Sequence, residues 1–364
     1  MKIRDITNYL EEIAPLHYQE DYDNSGLLTG NLEDDAEGVL ITLDCTEEVV
    51  NEAINKKFNL IVAHHPLIFN PLKKITGSNF VERTLIKALK NNIAIYSIHT
   101  NLDNVYNGVN SKIAEKLDLI NCEILLPKNK LVKQLVVYCP PTHSDALKEA
   151  MLDNGAGTFK NYDHCSFSIY GQGTFRPKKG SSPFIGDIGV EHRSEEIRLE
   201  FFIKKGFENS LIKVMKDNHP YEQIAYQMYT LDNISDDIGA GMIGELSNEI
   251  ESDKFLKIIK DKMQTSCIRY TSLLKKKIKY VAICGGSGSF LLEQAKNKKA
   301  DIFISSDFKY HEFFNSDGKI IIADIGHFES EQFTKELIYD FLSKKFTKFA
   351  VQLSNVNTNP INYL

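Results

Sequence analysis

Residues 60–66 read LIVAHHP, a short apolar run that ends at two adjacent histidines and a proline. Such a run is typical of a buried strand, and the proline pushes the residue before it away from helical geometry. VLITLD (39–44) precedes this run and IAIYSI (93–98) follows it, and both gaps contain apolar residues at helical spacing. This β-α-β-α-β rhythm predicts a mostly parallel sheet with helices on its faces.

A second series of strands is predicted towards the end of the chain. Its members are VAIC (281–284), IFIS (302–305), IIIAD (320–324) and FAVQL (349–353). Both series contain the string A-x-N-K-K before a strand, at 53–57 and 295–299, and both place His-x-x-x-carboxylate after a later strand. We expect two similar halves whose strand ends converge across a pseudo-twofold axis; a chance match of so short a string is the alternative.

The middle of the chain follows a different order, β-α-β-β-α-β, which is the ferredoxin-like arrangement. The sequence therefore predicts an α/β fold: a three-layer α/β domain (1–129 and 236–364) of two similar halves around a mixed sheet, with a ferredoxin-like α+β domain inserted at 130–235. The G-x-G-x-x-G match at 239–244 follows a polar segment instead of a strand. We interpret it as the hinge that leaves the insert, with a nucleotide-binding loop as the alternative.

Composition excludes several classes of protein. The 364 residues include 43 Lys+Arg and 49 Asp+Glu, a net charge of −6 that argues against whole-surface nucleic-acid binding. No apolar stretch approaches the roughly 18 residues of a membrane span, and the first residues have no apolar signal core, so a cytoplasmic protein is expected. The six cysteines form no C-x-x-C pair, which indicates neither a zinc knuckle nor a disulfide framework.

Five residues are candidate metal ligands: His64, His65, Asp103, His327 and Glu331. Both histidine rings of the first pair can converge where the strand ends, and His327 and Glu331 are spaced to share a helix face. Three imidazoles and two carboxylates suit zinc, with manganese, iron or cobalt as alternatives. Five ligands fit two divalent ions roughly 3.5–4 Å apart, with Glu331 as the expected bridge. A hydrogen-bonded polar loop is the alternative reading of the histidine pair.

Three further residues, His99, Asp307 and His311, are candidate catalytic groups that could move protons or position a substrate. The alternatives are a structural hydrogen bond for His99, helix capping by Asp307 and a solvated His311. Asp44 ends VLITLD and could orient a metal ligand by a hydrogen bond without touching the metal itself. The alternative is that it is only the residue at which the chain enters a helix. The turn at 285–288 (GGSG) is either a tight turn or a cradle for an anion.

Seven segments, DYDNSGLLTG, LDCT, AHHPLIF, HTNLDN, CGGSGS, SSDFKYHEF and ADIGHFESE, run in order from about residue 20 to 331. They resemble the Ngg-interacting-factor-three-like family, whose bacterial members are often named GTP cyclohydrolase 1 type 2 homologs. The resemblance implies a di-metal centre on the same five ligands and a toroidal homohexamer with the metal sites facing an internal cavity. Ser305-Ser306, Met242 and Tyr22 depart from the family's usual residues; none of them is a proposed ligand, but all could alter a substrate pocket.

The segment DHCSFSIYGQGTFRP (163–177) resembles the insert of the longer bacterial members, which is similar to the PII and CutA signalling folds. We expect a di-metal hydrolase that acts on a purine nucleotide or related small molecule through a metal-bound hydroxide. A phosphoester or a cyclic amide would suit the same ions. The alternative is a metal-binding regulatory or scaffold protein with a ligand-sensing insert, and nucleic-acid binding in a ring cavity is a third, which the net charge disfavours.

Overall fold

The computed structural model describes residues 1–158, 161–274 and 276–364. Its strands are β1 (Gly26–Thr29), β2 (Val39–Thr42), β3 (Leu60–Ala63), β4 (Ala94–Ser97), β5 (Ile120–Asn129), β6 (Val132–Cys139), β7 (Ser166–Phe175), β8 (His192–Lys204), β9 (Tyr226–Leu231), β10 (Ile234–Glu251), β11 (Arg269–Tyr270), β12 (Lys277–Ser287), β13 (Ile302–Ser306), β14 (Ile321–Asp324) and β15 (Val351–Leu353).

The α-helices are α1 (Ile3–Ile13), α2 (Glu47–Lys56), α3 (Phe80–Lys90), α4 (Thr100–Asp103), α5 (Val109–Lys116), α6 (Pro141–Asp153), α7 (Glu208–Asn218), α8 (Ser252–Lys262), α9 (Leu292–Asn297), α10 (His327–Glu331) and α11 (Thr334–Lys345). Short 3₁₀ turns cover Leu16–Tyr18, Ser289–Leu291 and Tyr310–Ser316. Within the described residues, no helix combines the length and apolar character that crossing a membrane requires.

The described chain divides into two compact units, one formed by residues 1–127 with 236–364 and the other by residues 128–235. The first unit contains two mixed sheets, with strand orders β1-β4-β3-β2-β15 and β11-β14-β13-β12-β10-β5. The single mixed sheet that the sequence suggested is therefore wrong. The reason is that no strand pairing joins the two halves into one sheet: β12 pairs with β10 in the six-stranded sheet, which also contains β5, whereas the last strand, β15, returns to β2 of the five-stranded sheet.

Strand β2 runs parallel to β3, strand β13 runs parallel to β14, and the side chains of these four strands are buried on both faces. Every residue of β2, β3, β13 and β14 is buried, because helices cover both sides of these strands. In α/β sheets of this kind, the loops beyond the carboxyl ends of the parallel strands carry the ligand-binding residues. The segments after β3 and β14 are therefore where a functional site is expected.

The repeated A-x-N-K-K string has the same structural role in both halves. Lys57 and Lys299 adopt the left-handed region, with φ of 58° and 59°. In each copy, the N–H of the residue after that lysine donates to the carbonyl of the string's alanine, at 2.9 and 3.0 Å. This is the hydrogen bond of a Schellman cap, which ends a helix and turns the chain into the next strand. The string thus marks equivalent helix-to-strand corners that lead into β3 and β13.

The G-x-G-x-x-G match is not a hinge, because Gly239, Gly241 and Gly244 all lie inside β10. Strand β10 pairs antiparallel with β12, so this segment belongs to the sheet. A Cβ at Gly239 would lie 2.2 Å from the carbonyl oxygen of Leu126 in β5, and only glycine allows the two backbones to come so close. Packing between strands therefore explains this glycine.

The second unit, residues 128–235, has the element order β6-α6-β7-β8-α7-β9. Its antiparallel sheet has the strand order β7-β8-β6-β9. Helices α6 and α7 contribute Leu147, Met151, Leu211 and Met215 to an apolar core with alternate residues of β6 and β8. The strand alternation of IRLEFFIK, in which every second side chain is buried, follows from having helices on one face of this sheet.

Candidate metal centre

The five candidate ligands lie at the ends of parallel strands of both halves. His64 and His65 follow β3 directly, Asp103 ends the short helix after β4, and His327 and Glu331 begin and end α10 after β14. The N–H groups of His64 and His65 donate to carbonyls at and just after the end of β2, which fixes the backbone at this strand end. The two rings consequently lie side by side, with centroids 4.9 Å apart.

The carboxylate of Glu331 lies between the two halves. Its Oε2 is 2.9 Å from Nε2 of His65 and 3.1 Å from Nε2 of His327. Its Oε1 lies 3.8 Å from Nε2 of His64. The two oxygens of one buried carboxylate thus face different histidines, an arrangement suited to a carboxylate that bridges two cations.

Two polar atoms at this point have no hydrogen-bond partner among the described residues. They are Nε2 of His64 and Oδ1 of Asp103, which are both buried and lie 3.6 Å apart. Nδ1 of His64 donates to the carbonyl of Ile98 at 2.8 Å, so Nε2 carries a lone pair in the neutral ring. A buried lone pair that faces a carboxylate oxygen is unfavourable unless a cation lies between them. These residues therefore fit a metal ion.

The pKa values of the cluster reflect a concentration of charge in a buried place. Burial and the nearby carboxylate of Glu331 raise the pKa of Asp103 to about 7. Burial would lower the pKa of His65, but hydrogen bonds to Asp44 and Glu331 raise it to about 10. Burial also opposes a charge on His327, whose pKa the carboxylate of Glu331 and the hydrogen bond to Asp307 raise to about 11. The carboxylates thus strongly favour positive charge beside them.

The Nδ1 atoms of the histidines are held by acceptors behind the cluster. Asp44 accepts from Nδ1 of His65 at 2.8 Å, and Asp307 accepts from Nδ1 of His327 at 2.7 Å. These bonds fix the ring orientation and leave Nε2 directed at the cluster, as is usual for metal-binding histidines. Asp44 therefore lies where the sequence suggested. It also accepts a hydrogen bond from Thr358 of the C-terminal segment at 2.8 Å.

His99 lies beside the cluster, with its ring 5.3 Å from that of His64 and 5.4 Å from that of His65. Asp23, which reasoning from residue spacing did not select, accepts from Nδ1 of His99 at 2.7 Å and from the N–H of Thr100 at 3.0 Å. Burial would raise the pKa of Asp23, but these bonds and the charge of His99 hold it below its usual range. Only its place in DYDNSGLLTG, one of the family-like segments, could have indicated this residue.

The glycine-rich end of β12 packs against the cluster. Gly286 has φ of 61°, and a Cβ there would lie 2.4 Å from Oε1 of Glu331. The hydroxyls of Ser305 and Ser306 both donate to the carbonyl of Gly286, and its N–H donates to Oγ of Ser330. A glycine is required because any side chain would displace the Glu331 carboxylate.

The structure thus brings together His64, His65, Asp103, His327 and Glu331 and places His99 and Asp307 against them. His311 lies elsewhere: its exposed ring contacts Tyr310 and Phe314, with centroids 5.1 and 6.3 Å apart. The reason is local, because His311 belongs to the 3₁₀ turn Tyr310–Ser316, which runs on beyond the strand end that carries Asp307.

A cavity of about 550 Å³ opens onto the cluster. Its walls include four aromatic rings and the segment 359–361, and the rings belong to Tyr22, Phe69, Phe290 and Phe328. The volume is within the range of sites for small molecules. Of the positions that depart from the family's usual residues, Tyr22 lines this cavity, whereas Met242 is buried in β10.

Comparisons of the sequence and of the structure with known proteins point to the same group of relatives. Residues 1–360 match the family model Duf34/NIF3 (NGG1p interacting factor 3). The GTP cyclohydrolase 1 type 2 homolog of Bacillus subtilis is 36% identical over 99% of this chain and 98% of that protein.

Among solved structures, a Bacillus cereus protein related to NIF3 has a TM-score of 0.81 and 36% identity, covering 100% of this chain and 99% of that one. The Staphylococcus aureus protein SA1388 has a TM-score of 0.80 and 30% identity, with the same coverage. The match of the family model spans nearly the whole chain, and these relatives are similar along their full length. The chain therefore belongs to the DUF34/NIF3 family.

Proposed function

We propose that the chain is a hydrolase that depends on two divalent metal ions. The observation that carries this proposal is the position of the Glu331 carboxylate between two groups of ligands. One group is His65, His327 and Glu331, and the other is His64, Asp103 and Glu331. Within each group, the ligand atoms lie within 4.8 Å of one another. Zinc is the favoured metal because three of the five ligands are imidazoles.

Divalent ions bound here would polarise an oxygen of the substrate and lower the pKa of water to about 7. The residues of the chain prepare the site for this chemistry. Asp44 and Asp307 fix the orientation of two ligand rings, so binding a metal costs little reorganisation. The Nδ1–H of His99 is held by Asp23, which leaves Nε2 to accept or return a proton at the cavity. His99 and Asp307 are therefore the proposed acid–base and positioning groups.

The proposed substrate is a purine nucleotide or a related small molecule with a flat ring. Two observations favour this class: relatives are named for a GTP cyclohydrolase, and Tyr22, Phe69 and Phe290 offer exposed ring faces in the cavity. Aromatic walls favour flat ligands because rings stack or pack edge to face. Hydrolysis of a C–N bond, as in opening a purine ring, is the proposed reaction.

Turnover by metal-loaded protein tests the proposal. Protein loaded with zinc, manganese, iron or cobalt is assayed against purine nucleotides, phosphoesters and cyclic amides. We expect His65→Ala to abolish turnover while leaving the circular dichroism spectrum that of a folded protein. His192→Ala, in the unit of residues 128–235, is the matched control and should retain activity. Absence of turnover across this panel, together with a metal-dependent ligand or partner, would instead favour the second candidate, a metal-binding regulator or scaffold.

We further propose that residues 130–235 are an inserted domain of ferredoxin-like topology and that the protein assembles into a ring of six chains. The insert's element order, β-α-β-β-α-β, supports the first point. Light scattering coupled to size exclusion tests the second, since a hexamer has six times the 41.4 kDa mass of one chain. A monomer or dimer at micromolar concentration would contradict it.

A further inference from the structure

The unit of residues 128–235 has a cavity of its own, with a volume of about 660 Å³. It is lined by the end of β7, by the loop that follows it and by residues 221–223 and 225 before β9. Small-molecule sites commonly have volumes of about 300–1,000 Å³, so a metabolite would fit. None of its lining residues belongs to the metal centre.

The loop over this cavity has a defined structure. The N–H of Gly189 donates to the carbonyl of Pro177 at 2.8 Å, which closes the loop at its base. The N–H and the hydroxyl of Ser181 both donate to the carbonyl of Lys178, which shapes a tight turn. The N–H of Ser182 donates to the carboxylate of Glu222 at 3.0 Å and ties the loop to the opposite wall. The backbone of this loop is therefore held in place beside the cavity.

Three cationic side chains of this loop line the cavity: Arg176, Lys178 and Lys179. Across residues 1–158, 161–274 and 276–364, none of the three forms an ion pair with a carboxylate. Like charges that line one cavity repel one another, and a multiply charged anion bound among them relieves that repulsion. The guanidinium group and the two ammonium groups supply charge-assisted hydrogen bonds for phosphate or carboxylate oxygens.

The carboxylates that line the cavity have donors of their own. The hydroxyl of Tyr221 donates to Oε1 of Glu196 at 3.0 Å, and Glu222 accepts from the loop at Ser182. The ring of Phe184, at the tip of the loop, packs against Tyr221 with centroids 6.1 Å apart. The cavity thus has a cationic side and an aromatic wall, and its two carboxylates are engaged by donors of their own, which leaves the cationic side available to a small organic anion.

We propose that this cavity binds a small organic polyanion, carrying phosphate or carboxylate groups, through Arg176, Lys178 and Lys179. The site is separate from the proposed hydrolase centre and does not depend on it. Its ligand would be a regulatory or carrier-type metabolite, since no metal-ligating cluster lies among the residues described around it.

Calorimetric titration of the full chain with pyrophosphate and, separately, with citrate tests this proposal. We expect the double variant Lys178→Ala/Lys179→Ala to weaken binding by about tenfold or more, because two charged hydrogen bonds are lost. The matched control Lys213→Ala/Lys216→Ala removes the same charge from exposed positions of α7 and should change affinity less than about twofold. The probe that binds more tightly identifies phosphate or carboxylate as the preferred group.

The metal centre could also attract these anions, so the same titration is repeated on His65→Ala. Binding that persists in His65→Ala and is lost in the lysine variant supports the cavity. Equal binding by the lysine variant and wild-type protein would overturn the proposal, as would the absence of binding by either probe at millimolar concentration. If the double variant has a lowered Tm, Arg176→Gln provides the same comparison with a single conservative change.

Discussion

Nε2 of His65 lies 2.9 Å from Oε2 of Glu331, although 266 positions separate the two residues along the chain. His65 follows a strand of the five-stranded sheet, whereas Glu331 follows a strand of the six-stranded sheet. Each sheet therefore supplies ligands that the other lacks. The centre can form only when both halves have folded and packed, so its integrity reports on the pairing of the halves.

The first prediction concerns the number of metal ions bound. Asp103→Asn alters only the group of His64, Asp103 and Glu331, and His327→Ala alters only the group of His65, His327 and Glu331. We expect each substitution to remove one of the two proposed ions and Glu331→Gln to remove both, because its two oxygens face both groups. Elemental analysis of protein purified without chelator measures this directly.

The control for that prediction is His311→Ala, since the His311 ring contacts Tyr310 and Phe314 and not the cluster. Its metal content should equal that of the wild-type protein. Equal metal loss from Asp103→Asn, His327→Ala and Glu331→Gln would contradict a centre with two separable ions.

The second prediction concerns the hydrogen bonds behind His65. Asp44 accepts from Nδ1 of His65 and is itself held by the hydroxyl of Thr358. Removing such a partner of a metal ligand typically lowers metal affinity about 10–100-fold, so we expect an effect of that size from Asp44→Asn. Thr358→Val should cause a smaller loss, because the carboxylate keeps its bond to the ring. Competition with a chromogenic chelator measures both affinities.

Thr230→Val is a suitable control for Thr358→Val, because Thr230 is an exposed residue of β9 in the other unit. If the metal affinity of Asp44→Asn lies within about twofold of the wild-type value, packing alone orients the His65 ring for metal binding and the prediction is wrong.

The third prediction concerns Asp23, whose side chain is fully buried against His99. Asp23→Asn leaves donors of Thr100 and His99 without their charged acceptor, and breaking such a buried pair typically costs about 3 kcal/mol of unfolding free energy. Urea denaturation measures this loss. The exposed Asp21→Asn is the control and should change the unfolding free energy by less than about 0.5 kcal/mol.

The pH dependence of this effect has a definite sign. The pKa of Asp23 is lower in the folded protein than its usual value of 3.8, so its contribution is fully present above about pH 4. As the pH falls below that value towards the folded-state pKa, the contribution is progressively lost. The difference in stability between wild-type protein and Asp23→Asn should therefore shrink in acid, and a difference that grew would exclude this account.

The sequence predicted the elements of the α/β unit well because its strands are short, apolar and bounded by clear turns. The structure brings the five candidate ligands together because each lies in a segment that follows such a strand, and the carboxyl ends of parallel strands gather at one edge of each sheet. The number of sheets was predicted wrongly, since nothing in FAVQL shows that this strand returns to β2. The pattern of apolar residues indicates where a strand lies, whereas tertiary packing determines which strands pair with it.

The supporting residues were harder to predict for a different reason. Asp23 lies in a polar turn where aspartate is common, and its contact with His99 spans 76 positions. His311 resembled a catalytic residue because it follows a strand end, yet it lies within a 3₁₀ turn and is exposed at the surface. Loop geometry decides both positions, and loop geometry leaves little trace in the periodicity of a single sequence.

The last prediction concerns the glycine that allows Glu331 its position. In Gly286→Ala, the new methyl group would lie 2.4 Å from Oε1 of Glu331 and 3.3 Å from the ring of His327, on a backbone with φ of 61°. Ser305, Ser306 and Ser330 hold this backbone by hydrogen bonds, so the carboxylate must move instead. We expect loss of bound metal from a protein that still folds, as measured by elemental analysis and circular dichroism.

Gly155→Ala separates this steric effect from backbone strain. Gly155 also has a positive φ, of 96°, but a Cβ there would meet no atom within 4 Å. Both variants should lose about 1 kcal/mol of unfolding free energy, because alanine is strained at positive φ. Only Gly286→Ala should lose metal. Full metal content in Gly286→Ala would mean that the Glu331 carboxylate can move without releasing an ion, and the proposed bridging role of Glu331 would then be wrong.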